Sequence, residues 1–241
     1  MDLSIVITAF NYEQYISECI DSCLDQKSHH LKYEIIVVDD GSTDDTPSIL
    51  SKLTSKSLRF YRINNSGIEK ASNYGFSKAI GKYLVRLDAD DLLAPIFCQA
   101  AEENLYSKYG FYYSDYNVID SEGHVLRQMR LPKFDPDEIS SRGDFLATGT
   151  IYDADLMRLL GGYSTRRLNS GLENYELVLK LLDRGIQGMH IPMPLFCYRR
   201  HSLNLSAIKT QKIIENGKIL FEERKLGRYR SNQYHPYGLE V

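Results

Sequence analysis

Four short apolar runs, each followed by one stretch of helical spacing, leave the first 110 residues of the chain few folds to choose from. "SIVITAF" (4–10) and "YEIIVVDD" (33–40) are rich in β-branched residues with little polar interruption, the pattern of strands covered on both faces of a parallel sheet. Between them, "EQYISECIDSCLDQ" (13–26) repeats its apolar residues at three- and four-residue intervals, which predicts a helix. "GSTDDTPSILSKLTS" reads as a turn entering a helix whose acid-rich first turn suits the helix dipole. "LRFYRIN" (58–64) predicts a third strand, "GIEKASNYGFSKAI" a helix, "YLVRL" (83–87) a fourth strand and "LLAPIFCQAAEENL" a further helix. Strands separated by single helices make βαβ units, so the expectation is an α/β fold with a mostly parallel central sheet flanked by helices.

Such sheets bind ligands beyond the carboxyl ends of their strands. The polar residues collect there: Thr8, Phe10 and Asn11 after the first strand, Asp39 and Asp40 after the second, Asp88, Asp90 and Asp91 after the fourth. Three carboxylates in four positions repel one another, which raises the pKa of at least one unless a cation or many donors sit among them. The chain therefore expects something positive at "LDADD".

With 241 residues and 43% apolar content, one large core can be filled, so we expect a single domain. A net charge of −3 offers no basic surface, which argues against nucleic acid as a partner. No apolar run reaches the ~20 residues of a spanning helix, and "MDLSIVITAF" lacks both the basic region and the long apolar stretch of a signal peptide. A cytoplasmic location is the expectation. Cys19 and Cys23 share an apolar helix face with Ile16 and Ile20, which reads as buried, reduced thiols; a zinc half-site with His29 or His30 is the alternative.

After residue 110 the pattern changes. "GFYYSDYNVID" predicts a strand ending in the turn "SEGH", residues 127–145 read as irregular, and "GTIYDADLMRLLGGY" as a strand entering a short helix. "LENYELVLKLLDRG" (172–185) is an amphipathic helix closed by Gly185, and "GMHIPMPLFCYRRH" a strand whose prolines predict an edge position. Residues 207–226 form a last helix, with a polar, loose tail from Arg228.

"SIVITAFNYEQYISECIDSCLDQ", "EIIVVDDGSTDDT", "NNSGIEKASNYGFSKAIGKYLVRLDADD", "ENYELVLKL" and "YRRHSLNLS" follow one another in the order and at the spacing of family 2 glycosyltransferases, which this chain resembles over residues 3 to 206. The resemblance implies a GT-A, Rossmann-like fold over 1–206, with a nucleotide-binding half (about 1–110), an acceptor-binding half (about 111–206) and a C-terminal helix and tail (207–241). It implies an inverting enzyme that moves a sugar from a nucleotide-diphosphate donor, a UDP-sugar above all, to a hydroxyl of a glycan, lipid-linked or protein acceptor. By the same resemblance Asp90 of the D-x-D motif coordinates Mn²⁺ or Mg²⁺ with His201, and an arginine of "YRRH" offsets phosphate charge. Asp88 lies by the ribose or the metal's water shell, Asp40 takes the base, and Thr8, Phe10, Asn11, Gly67, Lys70 and Asn73 approach the nucleotide.

The family carries an acidic pair where this chain has Glu173 followed by Asn174. An inverting transferase needs a base for the acceptor hydroxyl, and asparagine cannot be one. Glu173 is then the catalytic candidate, and a non-catalytic sugar-nucleotide binding or scaffold protein is the alternative. "VVDD" also admits a phosphotransferase with an aspartate acceptor, although that reading leaves "YRRH" and the last hundred residues without a purpose. The C-terminal helix carries apolar residues at 208, 213, 214, 219, 220 and 221 beside four lysines, a pattern open to packing, a homodimer contact or peripheral membrane attachment.

Overall fold

A computed structural model of the chain describes residues 1–105, 108–142, 146, 148–204 and 208–229. Its strands are β1 (Leu3–Ala9), β2 (Tyr33–Asp39), β3 (Leu58–Arg62), β4 (Tyr83–Asp88), β5 (Leu92–Leu93), β6 (Phe111–Ile119), β7 (Val125–Met129), β8 (Ile151–Asp153) and β9 (Gly188–Arg199). Its helices are α1 (Ile16–Leu24), α2 (Thr46–Lys52), α3 (Ile68–Lys78), α4 (Phe97–Asn104), α5 (Pro136–Arg142), α6 (Ala154–Leu159) and α7 (Glu173–Leu182), with α8 spanning Thr210–Arg224.

One sheet runs in the order β3-β2-β1-β4-β8-β6-β9-β5, with β7 paired to β6. The first four strands are all parallel, as the βαβ pattern requires. Strands β1 and β2 are buried along nearly their whole length, which is why their sequences read as unbroken apolar runs. Helix α3 lies directly on this sheet: a Cβ at Gly75 would come within 2.4 Å of Val6 Cγ1, a contact only glycine avoids.

The structure departs from the sequence reading in three places. Residues 127–145 are not wholly irregular, since β7 and α5 fall within or across them; four of the five β7 residues are exposed, so no buried face marks it. Strand β9 is not at the edge, because β6 pairs along one side and β5 meets Phe196 and Cys197 on the other. Its prolines sit where the β6 register shifts between Ser114 and Tyr116, so the ladder is already interrupted at the missing N–H groups. The third departure is the segment after "LDADD", which forms the short strand β5 before α4 begins at Phe97.

Helix α8 docks on this same body. Ile213, Leu220 and Phe221 are buried, Asn216 Nδ2 donates to the Ser170 carbonyl, and Arg224 and Glu223 pair with Asp183 and Arg167. Of the expected loose tail, Tyr229 is buried with its ring 5.1 Å from that of Phe221; residues 230–241 lie outside the described residues. Among the described residues no helix is long and apolar enough to cross a membrane. All four cysteines are free, and burial pushes the Cys19 and Cys98 thiols upward, which keeps them protonated.

Candidate active site

The carboxyl ends of β1, β2 and β4 open into a cleft of about 600 Å³ whose lining includes Thr8, Phe10, Asn11, Asp40, Gly67, Asp88, Asp90, Glu173 and His201. Residues from both ends of the sequence meet there because β9 returns the chain to the sheet beside β5, directly after the acidic cluster.

The nucleotide-side wall is built from turns tied to one another. Asn11 takes a left-handed backbone conformation (φ 61°), and its Oδ1 accepts from the Thr43 amide while its own amide donates to Ser42 Oγ. Asp40 Oδ1 accepts from the amide and hydroxyl of Ser66, and its Oδ2 from the Gly67 amide. Gly67 has φ 92°, a conformation that favours glycine, so the pairing of Asp40 with this loop shapes the wall. Asp40 lines the cleft as expected, with three of its carboxylate's accepting positions taken by the loop. Asp39 is fully buried, accepting from the Ser42 amide and pairing with Arg62, so neither acid of "VVDD" stands open as a phosphate acceptor.

Two expected nucleotide contacts are not brought into the cleft. Lys70 is exposed on α3, outside the lining. Asn73 turns the other way, its amide group donating to the Tyr163 carbonyl and accepting from the Tyr163 amide.

The acidic cluster divides by partner. Asp91 is buried, and its Oδ1 accepts from the Arg199 amide; it orients β9 and caps no helix. Arg199 is wholly buried, donating to the carbonyls of Asp90 and Ser121 and to Glu18. Arg200 is exposed and outside the lining, so neither arginine of "YRRH" faces the cleft. Asp90 Oδ2 accepts from His201 Nε2 at 2.9 Å and from Asn204 Nδ2 at 3.0 Å. Since His201 Nδ1 accepts from the Leu203 amide, its Nε2 is the donor toward Asp90.

Asp88 is the least buried of the three, its side chain 25% exposed, and contacts the Arg86 guanidinium at 3.2 Å. Burial, followed by the charges of Asp90 and Glu173, pushes its pKa up to about 6 against the opposing pull of Arg86. Asp91 and the Tyr12 hydroxyl are pushed up as well, by burial and by the neighbouring aspartates. Burial and mutual repulsion thus make these acids costly to ionise together.

The donor set fits a hard divalent cation. Mg²⁺ and Mn²⁺ take one or two protein ligands and fill the rest of an octahedron with water and phosphate oxygens. Asp90 Oδ2 and His201 Nε2 are oxygen and nitrogen donors of the right kind, but the 2.9 Å between them is that hydrogen bond, so Nε2 would have to give up its proton before both could hold one ion. Among the described residues no group of three or more His, Cys, Asp or Glu side chains is arranged to hold a metal, so the bound substrate would have to complete the shell.

Glu173 opens α7, is buried, and accepts from Arg86 through Oε1 at 2.8 Å; its Oε2 is buried without a hydrogen-bond partner among the described residues. Asn174 points elsewhere, its Oδ1 accepting from the hydroxyls of Tyr152 and Tyr163. Thr8 Oγ1 is a second buried polar atom without such a partner, while Phe10 is 42% exposed at the rim. The sequence reading missed Arg86; a cation within the apolar run "YLVRL" was its available signal. It also missed Tyr15, whose ring lies 4.8 Å from that of His201, and Lys209, which reaches the cleft from the start of α8.

Known proteins share this fold. Among solved structures, residues 1–349 of TarS from S. aureus in complex with UDP-GlcNAc superpose with a TM-score of 0.73 at 19% identity, covering 92% of this chain and 66% of that one. The mannosyltransferase PcManGT from Pyrobaculum calidifontis, in complex with GDP-Man and Mn²⁺, gives 0.68 at 18% identity, covering 91% and 64%. These likenesses establish the GT-A fold. A curated relative from Haemophilus influenzae, described as an uncharacterized glycosyltransferase, is 27% identical across 96% of this chain and 92% of its own. The chondroitin synthase of Pasteurella multocida is 30% identical across 96% of this chain but 24% of its own length. The chain spans only about a fifth to a quarter of the first curated relatives it matches, 21% and 24%. The sequence model described as Glycosyl transferase family 2 matches residues 4–158, more than half of the chain, and the chain belongs to that family.

Proposed function

We propose that the protein is an inverting, metal-dependent glycosyltransferase that moves a sugar from a UDP-sugar to a hydroxyl of a growing glycan. The observation that carries this reading is that one guanidinium, that of Arg86, touches Glu173 and Asp88 together, so the candidate base stands beside the D-x-D strand end. UDP-GlcNAc in the TarS structure favours a uridine donor, and relatives named chondroitin synthase and hyaluronan synthase favour a glycan acceptor.

Asp90 and His201 would hold Mn²⁺ or Mg²⁺, which when bound neutralises charge developing on the leaving diphosphate. Thr8, Phe10 and Asn11 line the side where the nucleoside would lie, with Asp88 near the ribose. Glu173 Oε2 takes the proton of the acceptor hydroxyl as that oxygen bonds to the anomeric carbon. The carbon's bond to the phosphate oxygen breaks, the electron pair leaves with the diphosphate, and a single displacement inverts the centre. The non-catalytic alternative rested on Asn174, and that side chain belongs to a tyrosine pair rather than to the cleft.

A thermal-shift panel of UDP, GDP and CDP, each with and without Mn²⁺, tests the donor half of this reading. Ligand at a hundred times its Kd stabilises the fold by about 2.7 kcal/mol, so UDP should raise Tm in the presence of Mn²⁺ and do little without it. If no nucleotide shifts Tm under either condition, the proposal is wrong.

A further inference from the structure

We infer that Arg86 is a positioning residue that holds Glu173 turned so that one carboxylate oxygen is left for the acceptor hydroxyl. This rests on the reading of Glu173 as the base.

Arg86 lies in β4, two positions before Asp88 and on the same face of the strand. Its backbone is fixed by the sheet, the carbonyl accepting from the Gly149 amide and from Thr148 Oγ1. The side chain is 4% exposed, with its guanidinium 5.6 Å from the Tyr163 ring centroid. A buried guanidinium is costly unless paired, and Arg86 reaches two carboxylates, Glu173 Oε1 at 2.8 Å and Asp88 Oδ1 at 3.2 Å.

The consequence for Glu173 is geometric. With Oε1 held by a planar donor fixed in the sheet, rotation of the carboxylate is restricted, and Oε2 is the oxygen without a hydrogen-bond partner among the described residues. A base must be aimed before its substrate arrives. A planar guanidinium fixes that angle. Asp88 shares the same cation, which ties the base to the donor side of the cleft across 87 positions of sequence.

The test is a double-mutant cycle of Arg86→Gln and Glu173→Gln, read by kcat, by the donor KM and by UDP binding in Mn²⁺. If Arg86 acts through Glu173, Arg86→Gln lowers kcat by about 10² while leaving the donor KM and UDP affinity within about threefold. The double variant then loses no more than Glu173→Gln alone, because residues acting as one unit are not additive. Arg86→Lys, which keeps the charge but not the planar fork, should recover part of the loss.

Three results overturn the inference: losses that multiply in the double variant, kcat retained while UDP affinity falls tenfold or more, or no effect at all. The second would assign Arg86 to the donor through Asp88. If Arg86→Gln does not fold, comparing the double variant, which leaves no unpaired charge at position 173, with Glu173→Gln decides the same question. An unaltered kcat in Glu173→Gln itself removes the underlying choice of base, and is thereby distinguished from a failure of Arg86.

Discussion

Replacing Glu173 by glutamine separates catalysis from folding, and the structure sets both magnitudes. Glutamine keeps an oxygen where Oε1 accepts from Arg86 at 2.8 Å, and Arg86 keeps its contact with Asp88. What is lost is the difference between a charge-assisted and a neutral hydrogen bond, about 1 kcal/mol, or roughly 2–4 °C in Tm for a domain of this size. Proton transfer is another matter. A positioned base contributes about 10²–10⁴ in rate, or about 2.7–5.4 kcal/mol of barrier at ~1.36 kcal/mol per decade. Glu173→Gln should therefore lower sugar transfer at least a hundredfold while Tm, and its rise with UDP and Mn²⁺, hardly change. Asn174→Asp is the companion. Its carboxylate would be buried against the hydroxyls of Tyr152 and Tyr163, so Tm should drop and transfer should not rise. Measuring initial rates and melting curves on the same preparations is sufficient. Undiminished transfer in the first variant, or a large gain in the second, refutes the assignment of the base.

Asp90→Asn should weaken UDP binding tenfold or more in Mn²⁺ and leave binding without metal unchanged, as read by titration calorimetry; equal loss under both conditions removes the metal role. Asp40→Ala takes away three accepted hydrogen bonds from Ser66 and Gly67, and should cost on the order of 3 kcal/mol in denaturant unfolding; a change within 0.5 kcal/mol or so would deny the loop its anchor. Asp88, Asp91 and Glu69 are all raised by burial, so each binds its proton more tightly in the folded chain than in the unfolded one. Their ionisation opposes folding, the contribution recovers as pH falls through the folded pKa, near 6 for Asp88, and recovery is complete below the unfolded values near 4. The Tm of the ligand-free protein should accordingly rise between pH 8 and pH 5, and a steady fall across that window contradicts the burial of these acids.

The parallel half of the sheet was legible because its information is local. "SIVITAF" and "YEIIVVDD" are buried on both faces, so their apolar runs announce the strands, and the polar residues that end them mark the cleft without any long-range contact. Where a pattern is not local, the reading failed: β7 is mostly exposed and carries no alternation, and the prolines of β9 fall at a register shift that depends on β6. The same limit governs the site. Sequence brought Asp88, Asp90, Glu173 and His201 into one hypothesis, but neighbours on a helix point about 100° apart, so only packing could turn Glu173 to the cleft and Asn174 to the tyrosines. Likewise "YRRH" does not say which arginine goes inward; Arg199 does because the Asp90 and Ser121 carbonyls and Glu18 converge on it from three elements. Arg86 is the sharpest case. Its place in β4 follows from the strand pattern, but its meaning depends on a carboxylate 87 residues away, brought within 2.8 Å where the first turn of α7 meets β4. Charge pairing across that separation costs the chain nothing to write in sequence and leaves no periodic trace, so it exists only in the folded structure.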